Sequence, residues 1–260
     1  MRIEIKKKDW CRLPLETPFK GHVIGDIHGL SSALDVALAL VDQRGGGTLV
    51  TLGDYVDRGP DSLGVLDRLI EAGNRLDLIA LAGNHEQLMW QSLYQDQIHP
   101  LWRLNGAYTV FGPDVDLPGR ASLRDLTGPA RCAFLESLRD YHRVGDLVFV
   151  HAGLPPEKGD FASMLPALTP WRTPSADARA CPQLWIRREF LEAKRNPGQV
   201  FVVHGHTIHD AVTLRRHCLS VDVGSYTSGR LALVEIDGDR YRPTIITDPD
   251  QPARWRAIRQ

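Results

Sequence analysis

Cysteine and lysine are scarce in this chain of 260 residues, and no long apolar run occurs. The four cysteines, Cys11, Cys132, Cys181 and Cys218, lie far apart without a Cys-x-x-Cys pair. That spacing excludes a zinc ribbon and argues against a disulfide framework. The longest apolar stretches, such as Val36–Val41, fall far short of the roughly 20 residues that span a bilayer. The opening MRIEIKKKDW is basic with no apolar segment behind it, so no secretory signal is expected. Charge of one sign is also missing. Lys and Arg number 31 against 32 Asp and Glu, for a formal net charge of -1, and no global field recruits nucleic acid or an anionic membrane. Three catalytic signatures are absent as well. Gly45–Thr48 lacks the lysine of a phosphate loop, no G-x-S-x-G surrounds Ser225 or Ser228, and no H-E-x-x-H follows His85. A soluble cytoplasmic protein is expected.

Hydrophobic residues at 43% and charged residues at 24% are ordinary for a globular protein. A chain this long buries about three quarters of its unfolded surface and needs no cross-link to fold. The basic side is 25 Arg and only 6 Lys, which supplies planar forks suited to phosphate. The first hundred residues alternate strand and helix. Strands are expected at 22–25, 48–52 and 76–81, with helices over 30–44, from Pro60 to Asn74, and over 86–94. This βαβαβα order argues a mostly parallel sheet covered by helices. The second half predicts a loop over 111–129, a helix at 130–141 and a strand at 146–150. An irregular proline-rich stretch covers 155–182, followed by a short helix near 184–191 and a strand at 200–203. Strands 218–223, 230–236 and 240–247 read as antiparallel. The expectation is one domain over 1–260, of α/β (α+β) class, with two sheets packed face to face and helices outside.

Metal-ligand residue types fall at five expected strand ends. Gly25-Asp26-Ile27-His28-Gly29, Gly53-Asp54-Tyr55-Val56-Asp57-Arg58-Gly59 and Gly83-Asn84-His85-Glu86 follow the first three strands. His151-Ala152-Gly153 and His204-Gly205-His206-Thr207 follow two later ones. Each piece alone reads as a capped turn. Together they make one site, because ligands in open α/β sheets gather beyond the carboxyl ends of strands. Carboxylate, imidazole and amide oxygen without thiolate suit Mn, Fe or Zn. So many ligands fit two ions about 3.5–4 Å apart that share one carboxylate and generate a bridging hydroxide. Tyr55 either lines the site or packs. Asp222 either orients a ligand or caps a turn, and the Trp102, Asn105, Gly106 cluster is read as packing.

These motifs, with H-A-G-L at 151–154, L-W-I-R at 184–187 and H-G-H-T at 204–207, resemble the phosphoprotein phosphatase family of calcineurin-like metallophosphoesterases. The likeness covers about residues 20–236 and is to the bacterial and bacteriophage lambda branch. It implies a four-layer fold and a dimetal site at the strand ends. By resemblance, Asp26, His28 and Asp54 hold one ion, while Asp54, Asn84, His151 and His206 hold the other. Manganese is the first expectation for both ions, with iron or zinc as alternatives. Arg58 and Asn84 would bind the substrate phosphate, with a second arginine at Arg187 or its neighbour Arg188. His85 would be the general acid, kept protonated by Asp57, since a nearby carboxylate raises an imidazole pKa.

The implied activity is hydrolysis of phosphoserine and phosphothreonine in a phosphoprotein, by direct attack of the bridging hydroxide. The rival is hydrolysis of a dinucleoside polyphosphate. Symmetrical hydrolases of that kind show Ala-Arg-Gly where this chain has Asp57-Arg58-Gly59, and G-N-H-D where it has Glu86. A non-catalytic module would have lost a ligand, and a nuclease calls for a basic groove. No nucleic-acid or membrane partner is expected.

Overall fold

The computed structural model describes residues 3–94, 100–111, 120–156, 159–173 and 177–251. In chain order the first strands are β1 (Glu4–Lys7), β2 (Cys11–Arg12), β3 (Phe19–Ile24), β4 (Thr48–Thr51), β5 (Asp77–Ala80) and β6 (Tyr141–Val144). The rest are β7 (Leu147–Val150), β8 (Phe201–His204), β9 (Thr213–Leu214), β10 (Cys218–Ser220), β11 (Arg230–Gly238) and β12 (Arg240–Thr247). One sheet has the order β1-β12-β11-β3-β4-β5, with β2 beside β12. The other has the order β6-β7-β8-β10-β9. Both are mixed: β3, β4 and β5 run parallel, as do β7, β8 and β10, and the remaining pairings are antiparallel.

The period-2 alternation of strand side chains sorts the residues into layers. Val23, Val50, Leu52, Phe149, Val203, Leu219, Val234 and Ile236 fill the space between the sheets. Their neighbours Ile24, Leu49, Leu231 and Leu233 point the other way, into helices. Those helices are α1 (Ser31–Gln43), α2 (Ser62–Gly73), α3 (Asn84–Tyr94), α4 (Pro100–Asn105), α5 (Tyr108–Phe111), α6 (Arg120–Thr127) and α7 (Pro129–Ser137). On the far side, Val148, Val150 and Val202 meet the short helices α8 (Phe161–Met164) and α10 (Arg188–Leu191), with α9 (Pro182–Trp185) before the latter. The result is helix, sheet, sheet, helix. Because both faces of each inner strand are buried, they read as continuous apolar runs. Helix α1 forms on the apolar spacing Ala33, Leu34, Ala37, Leu38 and Val41. It stops at Gly45, Gly46 and Gly47, all with positive φ. Helix α2 starts at Asp61, whose carboxylate accepts the Gly64 N–H at 3.0 Å.

Several expectations are corrected. Strand 218–223 is only Cys218–Ser220, and it runs parallel to β8. The β11–β12 hairpin does not build the second sheet; it returns to the first, with Val234 opposite Val23. Alternation identifies a strand but not its partner, and β11 buries both faces as an interior strand must. The helix expected at 130–141 ends at Ser137. Leu138 turns extended, and Arg139 bonds Ala80 and Ala82 on either side of Leu81. Tyr141–Val144 then becomes a strand on β7. Within the loop expected at 111–129, Arg120–Thr127 is helical, and residues 112–119 lie outside the described ones. The helix near 184–191 is two single turns, broken where Ile186 adopts an extended conformation and re-aims Arg187. Among the described residues, no helix is long and apolar enough to cross a membrane.

Candidate metal centre

The parallel strands β3, β4 and β5 of one sheet and β7 and β8 of the other all deliver their following loops to one edge. Backbone shape there is unusual. Among the described residues six non-glycine residues have positive φ, and five are His28 (44°), Asp54 (53°), Asp57 (70°), Arg58 (69°) and His206 (61°). Such conformations cost on the order of 1–3 kcal/mol each and persist only where the surroundings over-determine them. Close backbone approach also explains two glycines. A Cβ at Gly53 (φ 96°) would collide with the backbone of Gly83, and one at Gly205 with the Asp26 carboxylate.

Asp54 is the hub. Its Oδ2 lies 3.5 Å from His28 Nε2 and its Oδ1 lies 3.4 Å from His151 Nε2. His28 Nδ1 donates to the Val56 carbonyl at 2.9 Å, and His151 Nδ1 to the Leu52 carbonyl at 2.8 Å. These bonds fix both tautomers, so each Nε2 carries a lone pair. The His151 lone pair faces Asn84 Oδ1 at 3.0 Å and His206 Nδ1 at 3.2 Å as well as Asp54. The His151 lone pair and the Asp54 carboxylate repel at this distance, and a cation between them turns that repulsion into coordination. Two buried clusters lie close enough to hold an ion and share Asp54: His28 and Asp54 with His85 beside them, and Asp54, His151 and His206.

Charge points the same way. Asp26, Asp54, Asp57, Glu86 and Asp222 are all buried here, against two arginines, Arg58 and Arg187. Burial pushes Asp54 up to about 6, and burial pushes Asp222 up to about 6 with Asp54 adding to it. Asp26 is raised further by burial and the Asp222 charge. Burial also holds His28 and His206 well below the usual imidazole range and takes His151 down to about 4. His85 Nε2 and His206 Nε2 are buried with no hydrogen-bond partner among the described residues. The donor set is oxygen and imidazole nitrogen without thiol, and it fits two divalent ions.

Each residue expected at the site reaches it. Asp26, His28, Asp54, Arg58, Asn84, His85, Arg187 and His206 line one cavity of about 320 Å³ together with Asp222 and Tyr226. His151 sits behind Asp54. Asp26 does not join the His28 trio; its two oxygens accept the His206 N–H at 3.0 and 3.1 Å. Between the two candidate arginines, Arg187 lines the cavity and donates to the His206 carbonyl at 2.8 Å. Arg188 pairs with Glu192 on the surface at 2.9 Å. His85 Nδ1 lies 2.6 Å from Asp57 Oδ2.

Burial and the Arg58 charge drive His85 well below the ordinary imidazole value, although Asp57 lies beside it. Burial raises Asp57 at the same time.

Three contributions were not legible in the motifs. Glu86 Oε2 accepts the N–H groups of Asp54 (2.7 Å) and Gly83 (2.9 Å), and Oε1 those of Tyr55 (2.7 Å) and Val56 (3.2 Å). Trp102 Nε1 donates to both Asp57 oxygens at 3.0 Å, and Asn105 accepts from Arg58 through its carbonyl and Oδ1 at 3.4 Å. The cluster assigned to packing therefore braces the site. Tyr226, on α11 (Ser225–Ser228), lies 4.5 Å under the Arg58 guanidinium. Asp222 caps a turn by accepting Gly224 N–H at 2.8 Å and also lines the cavity. Tyr55 is buried, with its hydroxyl donating to the Leu81 carbonyl at 2.7 Å.

A sequence model of calcineurin-like phosphoesterases matches residues 21–246. The chain belongs to that family. Its fold is the calcineurin-like sandwich, and its site is that of a metallophosphoesterase. A serine/threonine-protein phosphatase 2 from Salmonella typhimurium is 28% identical over 223 residues, 82% of this chain and 91% of that protein. A symmetrical bis(5'-nucleosyl)-tetraphosphatase from Acidovorax ebreus is 34% identical over 145 residues, 52% of this chain and 44% of that one. The crystal structure of a metallophosphoesterase from Sphaerobacter thermophilus shares the fold with a TM-score of 0.53 at 17% identity, covering 92% of this chain and 94% of that one.

Two outcomes follow. Glu86→Gln replaces two acceptor positions with an N–H₂ group facing N–H donors, and should lower stability by about 2–4 kcal/mol; an unchanged urea midpoint would contradict the brace. Divalent binding should also depend on pH with a definite sign. The folded Asp54 carboxyl lies above its unfolded value, so the metal-free chain loses stability as pH rises through about 6. A cation relieves that penalty. The rise in Tm on adding Mn should be on the order of 10 °C at pH 7.5 and shrink below pH 6, and a larger rise at pH 5 would contradict it.

Proposed function

We propose that this chain is a two-metal phosphomonoesterase acting on phosphoserine and phosphothreonine in proteins, with manganese in the site and the cytoplasm as its setting. The observation that carries the reading is the His85–Asp57 dyad, 2.6 Å apart and braced by the Trp102 N–H. A serine or threonine alkoxide leaves poorly unless protonated, whereas a polyphosphate needs little help. The Salmonella phosphatase, aligned over 91% of its length, supports the same reading. The Acidovorax tetraphosphatase, at 34% identity, supports the alternative of dinucleoside polyphosphate hydrolysis on the same site.

Asp26, His28, Asp54, Asn84, His151 and His206 would hold the two ions. When bound, these ions supply a nucleophile at neutral pH and neutralise phosphoryl charge. Arg58 and Arg187, facing the cavity from two sides, would grip the remaining phosphoryl oxygens, with Asn84 beside them. In a neutral dyad the Asp57 proton lies towards His85 Nδ1, and His85 Nε2 carries the second proton. Nε2 gives its proton to the departing oxygen as the shared proton crosses to Nδ1. An ionised Asp57 remains, held by Trp102. No phosphoenzyme is required.

A comparison of kcat/KM on Mn-loaded protein tests the substrate class, with a phosphoserine peptide against diadenosine tetraphosphate. The account expects a preference for the peptide of at least about tenfold, and a preference for the dinucleotide overturns it. His85→Asn should cost about 10²–10⁴-fold on alkyl phosphates and under about tenfold on p-nitrophenyl phosphate. Equal losses on both would remove His85 as the acid.

A further inference from the structure

Beside the metal cavity lies a second, open cavity of about 610 Å³. Arg187 lines both, so the two adjoin. The second cavity is also walled by Arg179, Arg188 and Trp185. Arg179 follows the capping Asp177, whose carboxylate takes its backbone N–H at 2.9 Å, and its guanidinium makes no ion pair among the described residues. Trp185 is held from below by donation of its indole N–H to Gln87 at 2.8 Å. Two carboxylates temper the charge: Glu189 lines the same rim, and Glu192 pairs with Arg188. Three arginines against Glu189 and Glu192 leave the cavity with a small net positive charge, in a chain whose overall charge is -1.

We propose that this cavity is a substrate subsite that selects an acidic side chain within one or two residues of the phosphorylated residue. This rests on the phosphopeptide reading above. An extended peptide advances about 3.3 Å per residue, so the neighbour of a phosphoserine seated between Arg58 and Arg187 passes over the adjoining cavity. There the Arg179 fork meets a carboxylate and Trp185 offers an apolar floor. The contact is solvent-exposed, so the attraction is modest and screened by salt.

The test uses Mn-loaded full-length protein and two phosphoserine peptides that differ only in Glu or Gln flanking the phosphoserine. The Glu peptide should show a three- to tenfold higher kcat/KM, carried by KM with kcat unchanged, and the gap should narrow in 0.5 M salt. Arg179→Gln should erase the difference, and Arg179→Glu should turn the preference towards Lys-flanked peptide. A merely structural role for Arg179 would lower turnover of all peptides without that reversal. Equal turnover of the Glu and Gln peptides by the wild type overturns the subsite and leaves the phosphatase reading standing. No turnover of either, with diadenosine tetraphosphate hydrolysed, overturns both. Loss of dinucleotide hydrolysis alone in Arg179→Gln would assign the cavity to the nucleotide instead.

Discussion

The site depends on one buried carboxylate that touches no substrate. Glu86 gathers four backbone N–H groups from two loops, three of them consecutive at Asp54, Tyr55 and Val56 and the fourth at Gly83. Without it, four buried donors would have no partner, and the left-handed turn at Asp54 would lose the bonds that keep it closed. Burial and the Asp54 charge push Glu86 up to about 7, while the amide donors pull the other way. Asp54 and its brace are thus electrostatically coupled. A cation beside Asp54 relieves the hub and the brace together.

That strain is borne by a scaffold with little freedom. The ligand loops leave parallel strands whose two faces are both packed, one against helices and one against the opposite sheet. Such strands cannot slip by one residue without turning a buried face to the wrong layer. Register therefore passes from the cores of β3, β4, β5, β7 and β8 to the positions of His28, Asp54, Asn84, His151 and His206. Metal binding at the strand ends relaxes a repulsion that folding has already assembled.

The candidate metal ligands were legible because all but His151 sit beside a glycine, each near the end of an apolar run, and the parallel-sheet rule sends those ends to one edge. The helices α1 and α2 were legible for the same local reasons. What escaped was non-local. The β11–β12 hairpin has an antiparallel pattern, but nothing in it says that β3 is its partner. Arg139 leaves a helical pattern because Ala80 and Ala82 offer it strand hydrogen bonds. Trp102 and Asn105 look like packing until the fold sets them against Asp57 and Arg58. The Asp57 carboxylate beside His85 is visible in sequence, whereas the burial that opposes its effect is visible only in three dimensions.

The central claim is that Asp54 holds two divalent ions in one site. It is tested most directly by metal analysis and electron paramagnetic resonance of Mn-loaded protein. The account predicts two Mn per chain giving an exchange-coupled spectrum, as for ions about 3.5–4 Å apart, with the coupling lost in Asp54→Asn. One Mn per chain, or two that remain uncoupled in the wild type, would contradict it.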